Sequence, residues 1–489
     1  MERLVFSYGR SRHQGEAPER AGTFEPAPAA AAVPLAPAAV TARHAEPRDW
    51  AFLGLMAFTG LLFFRPQDLI TPLRVLHLAE ISALLALGAL VSSRLGRGMA
   101  VTRLTPEVIG VLAFAFVILA TAPFAVWMGG AVGTFTDLYA KVVLIFVLMV
   151  NTLTSPRRMQ QFIWLIVLAS GYIGMRAVLD YARGINLVEH GRVQGSIGGM
   201  FKNPNDLALN MVAVLPLAVF LILQPASMLK RALAAGCAAM MFGAIVASHS
   251  RSGTVGLAAM SLVLGAQLLK RRPGLVLAVA FAGILALPLL PSSYWQRLSS
   301  ITNEKLDETG SREAREVLLR ESYDAFLTHP FTGVGAGQFK NYNPEGRAEA
   351  WRESHNVVLQ VAAELGVAGL AVFLFLVVRA FLAPLQARKL LRAAAPDRRP
   401  SRTANAVAVE PIDKAEYEML SLYTAVVTAA LAGWFFCALF ASVAYHWTFY
   451  YLLALAVAPR DYLLTRAAAA RSVRRAAAAR TVTAVGAHA

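Results

Sequence analysis

Twelve apolar stretches separated by polar gaps run along the chain, at roughly 50–64, 75–93, 106–128, 138–153, 159–179, 206–223, 232–248, 253–269, 274–290, 356–382, 419–443 and 446–462. A helix rises 1.5 Å per residue, so about 20 apolar residues cross a hydrocarbon core of ~30 Å. Most of these stretches have that reach. The pattern predicts an all-α fold, a polytopic transmembrane helix bundle of about 12 helices. The first stretch is short, and the last two divide around Tyr445 and His446. The loop 291–355 separates the ninth stretch from the tenth, and 384–418 separates the tenth from the eleventh. Residues 1–48 are rich in Ala, Pro, Glu and Arg without periodic apolar positions, which predicts a disordered tail. The first apolar stretch begins too late for a cleavable signal peptide, and no small-residue cleavage site follows it. Beyond 463 an Ala/Arg segment predicts a helix on an anionic membrane surface.

Composition agrees with this frame. Of 489 residues, 57% are hydrophobic and only 16% charged, with mean hydropathy +0.52, too little charge to cover a soluble domain. The net charge of +16 would suggest nucleic acid in a soluble protein. Here the basic residues occupy the gaps between apolar stretches, so no nucleic-acid partner is expected. They set topology instead. Alternate gaps carry Arg94, Arg97 and Arg103, then Arg157 and Arg158, then Lys230 and Arg231, then Lys270, Arg271 and Arg272. The 384–418 loop and the C-terminal segment add more. With an even helix count, both termini are expected in the cytoplasm and the 291–355 loop outside. The gap 129–137, on the opposite side, holds no Lys or Arg. Cys237 and Cys437 each lie within an apolar stretch, which supports neither a disulfide framework nor a zinc site.

Against the topology rule, several cations fall on the outer side. The gap 180–205 contains Arg183, Arg192 and Lys202, and the turn SHSRSG places Arg251 almost within the membrane. Arg183 reads as a snorkelling anchor at a helix end. Arg192 and Arg251 read as functional, because a cation at membrane depth is costly unless it meets an anion or water. Within the outer loop, 309–328 has Ala314, Val317, Leu318, Ala325 and Phe326 at helical spacing, with Arg312 and Arg315 on one face and Thr309 or Ser311 as cap. This predicts an amphipathic helix resting on the bundle. Its charges also suit a plain solvated face. In HPFTGVGAGQF the alternating glycines Gly333, Gly335 and Gly337 permit left-handed backbone and close approach. The segment lacks the strand and helix of a dinucleotide fingerprint. The sequence then places His355 and Asn356 at the outer end of the tenth helix, where a histidine suits proton transfer near neutral pH.

Other polar positions read as structural. Asp137 and Lys141, at i, i+4, are expected to neutralise each other. Glu80, three residues after His77, is expected to face a polar cavity. Asn205 or Asp206 is expected to cap the sixth helix.

The ordered set GRVQGSIGGMFKNPNDLALN, SHSRSG, HPFTGVGAGQF and SHNVVLQVAAELGVAGL resembles the O-antigen ligase/polymerase superfamily over roughly 190–380. FRPQDLI, Phe64 to Ile70, is similar to a feature of polymerase-like members. The resemblance implies a transmembrane domain spanning 49–463, between cytoplasmic tails at 1–48 and 464–489, in the bacterial inner membrane. It implies a glycosyltransferase moving a glycan from undecaprenyl diphosphate to an acceptor hydroxyl at the periplasmic face. The acceptor is another glycan, a lipid A-core or a protein. Metal and cofactor are not implied. By motif, Arg192 and Arg251 correspond to the arginines that hold the diphosphate, and His355 to the histidine that assists the acceptor. Arg312, Arg315, Lys202 and Asn356 are further candidates for substrate contact.

The chemistry fits these residue types. The leaving diphosphate gains charge as the glycosidic bond breaks, and fixed guanidinium groups stabilise it without a metal. The acceptor hydroxyl is a weak nucleophile, so a base within hydrogen-bond reach helps. In-line attack would invert the anomeric centre. A lipid-linked glycan flippase or transporter is the rival reading. It predicts related halves and broken helices near the midplane, and no internal repeat is evident.

Overall fold

In a computed structural model, the described residues are 49–66, 71–188, 191–196, 201–289, 292–299, 311–345, 347, 351–396 and 411–486. The predicted tail at 1–48 and the cap at Thr309 lie outside them, as does part of the GSIGGM segment. Each of the twelve apolar stretches overlaps a helix among the described residues. In chain order these helices begin with α1 (Trp50–Phe64), α2 (Leu78–Leu95) and α3 (Pro106–Thr121). A short α4 (Met128–Gly133) runs through a π-helical turn (Thr134–Tyr139) into α5 (Ala140–Thr152), followed by α6 (Pro156–Arg183). A two-residue hairpin, β1 (Leu187–Val188) with β2 (Arg192–Val193), precedes α7 (Pro204–Leu223), α8 (Met228–Ala247), α9 (Arg251–Leu269) and α10 (Pro273–Ala286). The loop 291–355 holds α11 (Ser292–Ser299) and α12 (Ser311–Thr328). Then come α13 (Val357–Ala393), α14 (Lys414–Ala438) and α15 (Trp447–Gly486), which carries the final Ala/Arg segment on as one helix.

This is an all-α polytopic bundle. Among the described residues, nine helices are long and apolar enough to cross a membrane, and α1 and α10 are shorter apolar helices. The helix starts follow a local rule: a polar cap ahead of a proline or a good helix former. Thr105 accepts from Val108 N at 3.3 Å ahead of Pro106, and Ser155 from Arg158 N at 3.4 Å ahead of Pro156. The cap of α7 is Asn203, which accepts from Asn205 N at 2.8 Å with Pro204 at the first position. That is earlier than the expected Asn205 or Asp206, because proline takes the first helical position readily and moves the boundary back.

The bundle closes around α7 and α14. Small residues bring backbones together: a Cβ on Gly256 of α9 would lie 2.2 Å from Cys437 Sγ and 2.8 Å from Gly433 O of α14. Large apolar side chains such as Leu84, Phe116 and Leu262 point outward, as a lipid-facing surface requires. Within the bundle, Glu107 is fully buried and ties three helices. Arg379 Nη2 meets it at 2.6 Å, and Arg460 donates to both its oxygens, at 2.7 and 2.8 Å. Arg460 also pairs with its neighbour Asp461 at 2.8 Å.

Lys141 does not pair with Asp137. Its Nζ meets Glu80 Oε1 across the bundle at 2.9 Å. The cause is local: Asp137 sits in the π turn, whose wider winding breaks the i, i+4 register the sequence assumes.

Polar contacts sort the helix ends into two groups. At one end Arg158 pairs with Asp49 at 2.6 Å, Arg94 bonds Asn151 at 2.8 Å, and Arg466 pairs with Glu416 at 3.1 Å. Arg388 there reaches Gln267 and Thr424. These are the gaps rich in Arg and Lys. The hairpin, α12, the glycine-rich loop and the start of α13 gather at the other end. Arg183 is exposed at the last turn of α6.

Candidate functional site

The site is built on two helix starts. Asn356 caps α13, its Oδ1 accepting from Val358 N at 2.9 Å and Leu359 N at 3.0 Å, while its Nδ2 donates to Leu439 O at 3.0 Å. Both ends of that amide therefore serve the backbone. His355, one residue earlier, has φ 51°, a left-handed conformation unusual for a side chain of this size. Its N–H donates to Ser442 Oγ at 3.0 Å, and the hydroxyls of Ser354 and Ser442 lie 3.2 Å apart. The short connection between α14 and α15 thus holds the Ser-His-Asn segment in its strained form and presents the imidazole to a cavity.

On the second start, Ser250 caps α9 by accepting from Gly253 N at 3.1 Å. Its hydroxyl also donates to Asn205 Oδ1 at 2.9 Å. Arg251 is the first residue of the helix. Arg192, on β2, donates from Nη2 to Asn205 Oδ1 at 2.8 Å and from Nε to Ser248 O at 3.1 Å. The NPN turn and the SHSRSG turn, 45 residues apart in the Asn205–Ser250 bond, are thereby joined through Arg192.

A cavity of about 580 Å³ lies between these starts, lined by Arg251, Arg315, Glu316, His355, Asn356 and Phe440 among others. Arg315 comes from α12, which packs on the bundle through Leu318 and Ala325, each about 1% exposed. The predicted stripe is therefore real, and it turns Arg315 inward. Glu316 pairs with Arg320 at 2.6 Å on the outer side. Burial and the nearby Arg315 and Arg352 push the His355 pKa down to about 4, so the ring is neutral at pH 7. Arg192 stands behind the Ser248–Arg251 turn and is not among the described residues lining the cavity. Lys202 is exposed in the turn before α7. The backbone of Arg312 lies in α12, while its side chain is outside the described residues.

The glycine-rich loop braces the same end. Gly335 has φ 103°, and a Cβ there would come 2.3 Å from Ala125 Cβ. Gly333 has φ 63°, and a Cβ would meet the Glu364 backbone at 2.2 Å. Each position therefore needs glycine for both its dihedral and its space. The loop docks where Gly366, φ 63°, interrupts α13: Val334 N donates to Ala363 O and Gly335 N to Glu364 O, both at 2.9 Å. The fully buried Glu364 completes the clamp. Its carboxylate accepts from Gly337 N and from Tyr445 OH, each at 2.8 Å. Sequence reasoning passed over Glu364. Its signal was visible, as an ionisable residue two positions before a glycine within an apolar stretch. Glu107, Arg379 and Arg460 were missed in the same way.

Fold and site together define a multi-pass membrane protein with a cation-lined cavity at one end of the bundle, beside a neutral histidine. Residues 236–374 match the family model described as O-antigen ligase, which supports the O-antigen ligase/polymerase superfamily that the motifs resemble, and with it a membrane glycan transferase of that general type. The matched span contains Arg251, Arg315, His355 and Glu364. A search of curated proteins found no match.

Proposed function

We propose that this protein transfers an oligo- or polysaccharide from undecaprenyl diphosphate to an acceptor hydroxyl at the periplasmic face of the bacterial inner membrane. The observation that carries this reading is the convergence of Arg251, Arg315 and His355 on one cavity, from three separate elements. Arg251 and Arg315 hold the diphosphate. Arg192 sets the turn that aims Arg251. The basic loops at the other end of the bundle face the cytoplasm with both termini.

In the reaction, the acceptor oxygen attacks the anomeric carbon and a new C–O bond forms there. The bond from that carbon to the phosphate oxygen breaks, and its electron pair leaves with undecaprenyl diphosphate. The hydroxyl proton passes to the neutral His355 ring. In-line attack inverts the anomeric centre. Burial does most to lower the basicity of His355, and the Arg315 charge adds to it; a diphosphate would neutralise that charge. Donor binding therefore strengthens the base when it is needed. No metal enters this scheme, because guanidinium groups carry the charge of the leaving group.

The test is a deletion strain complemented with Arg251→Ala or His355→Ala at normal expression. Each variant is expected to abolish surface glycan, and unchanged glycan length and amount in both would overturn the reading. The same strain distinguishes the acceptor. Single repeat units on lipid A indicate a polymerase, and full-length polymer left on its carrier lipid indicates a ligase.

A further inference from the structure

A second cavity, of about 560 Å³, opens at the same end of the bundle, among α1, α2, the π turn, the start of α7 and the α14–α15 connection. Its polar wall contains Arg65, Glu80, Lys141, Asp206 and His446, and Trp447 contributes to its apolar wall. This is where Glu80 faces, as its place in the sequence suggested. The chemistry differs from that of the Arg251 cavity. Carboxylates outnumber lysine and arginine here, Glu80, Asp137 and Asp206 against Arg65 and Lys141, and Lys141 meets Glu80 at 2.9 Å, so the cavity is not built to concentrate anions. Among the described residues, no group donates a hydrogen bond to the Asp206 carboxylate, and none pairs with the His446 ring. Polar groups held in a cavity without partners are costly unless a ligand or water supplies them. A sugar does so well: its hydroxyls donate to carboxylates and its C–H faces lie against an indole. The turn at Asn203–Asp206 links this cavity to the first. Asn205 bonds Ser250, next to Arg251, while the adjacent Asp206 lines the second cavity. The cavity wall also includes Leu84, 62% exposed on the outer face of α2, so its mouth is reachable from the bilayer.

We propose that this second cavity holds the acceptor glycan, with Asp206 accepting a hydrogen bond from a hydroxyl of its terminal sugar, while the first cavity holds the donor. This deepens the transferase reading and rests on it. Donor diphosphate and acceptor sugar then lie on two sides of the Asn205–Ser250 contact, with His355 on the donor side.

Two variants of the full-length protein test the assignment. Asp206→Asn keeps the size of the side chain and removes its charge. Leu84→Trp adds bulk at an exposed position, so folding is spared while the mouth narrows. Each is expressed in the deletion strain for analysis of surface glycan and carrier-linked donor. Each is also purified and titrated with undecaprenyl diphosphate alone. Surface glycan is expected to fall by ~tenfold or more with donor accumulating on its carrier, while undecaprenyl diphosphate binding stays within about twofold of wild type. Normal glycan in both variants overturns the proposal. So does an equal loss of undecaprenyl diphosphate binding, which would assign this cavity to the donor. The transferase reading fails separately, if Arg251→Ala binds undecaprenyl diphosphate as tightly as wild type.

Discussion

The acidity of His355 gives the sharpest check on the site. Burial first, and then the charges of Arg315 and Arg352, push its pKa from the ordinary 6.5 down to about 4. The sign follows directly: the neutral, proton-accepting ring persists to low pH and is lost only as pH falls through about 4. At pH 5.5 an unperturbed histidine would be ~90% protonated, whereas one with a pKa of about 4 is ~3% protonated. The acid limb of kcat/KM, which reports the free enzyme, should therefore lie near pH 4, and activity at pH 5.5 should stay close to its neutral value. Arg315→Gln removes the larger of the two repelling charges. Its kcat should fall because the diphosphate loses a partner, but the midpoint of its acid limb should rise, though not to 6.5, because burial remains. The exposed Arg352→Gln should move the midpoint in the same direction by less. The assay is donor turnover by the purified protein between pH 4 and 8, with protein integrity checked at each pH. An acid limb near 6.5 in the wild type, or a midpoint that ignores Arg315→Gln, would refute the argument that this ring is desolvated beside Arg315.

Other outcomes follow from the same geometry. Arg251→Lys should retain less activity than conserved charge alone would give, because an ammonium cannot grip a phosphate with two parallel hydrogen bonds; wild-type turnover by that variant would point to simple charge. Glu107→Ala should destabilise the bundle by ~3–5 kcal/mol, since it leaves the Arg379 and Arg460 guanidinium groups buried without this carboxylate. Thermal unfolding in detergent measures it, and a melting temperature matching wild type would show the network to be dispensable. Gly335→Ala should loosen the glycine-rich loop, because both its φ of 103° and the contact with Ala125 exclude a side chain. Protease susceptibility of the 329–345 segment should rise, and an unchanged digestion pattern would contradict the docking described for this loop.

Much of this protein was legible along the chain. In lipid the backbone must satisfy itself within each segment, so an apolar stretch of sufficient length has little choice but a helix. Each predicted stretch overlaps one among the described residues, and the serines, threonines and asparagines ahead of prolines mark where several begin. The alternating glycines of 333–337 announced left-handed backbone and close contact, and both are present. The stripe on α12 foretold the face that packs. His355 and Arg251 stood out because a polar side chain next to a long apolar helix needs a reason.

Partnership was not legible. In a helix that is apolar all round, periodicity does not distinguish the face that meets lipid from the face that meets another helix. Lys141 was expected to find Asp137 four residues away, but a π turn intervened and Glu80, 61 residues distant, took its place. Glu107 meets Arg460 across 353 residues, and Glu364 meets Tyr445 across 81. Arg192 was expected to hold the diphosphate, yet only folding decided that it bonds Asn205 and Ser248 behind the Arg251 turn while Arg315 lines the cavity. The one-dimensional pattern of apolar residues determined that this chain forms a helical membrane bundle and which polar residues required explanation. Which of them face one another was decided by tertiary packing alone, because a buried charge is held by whatever partner the neighbouring helices bring within reach.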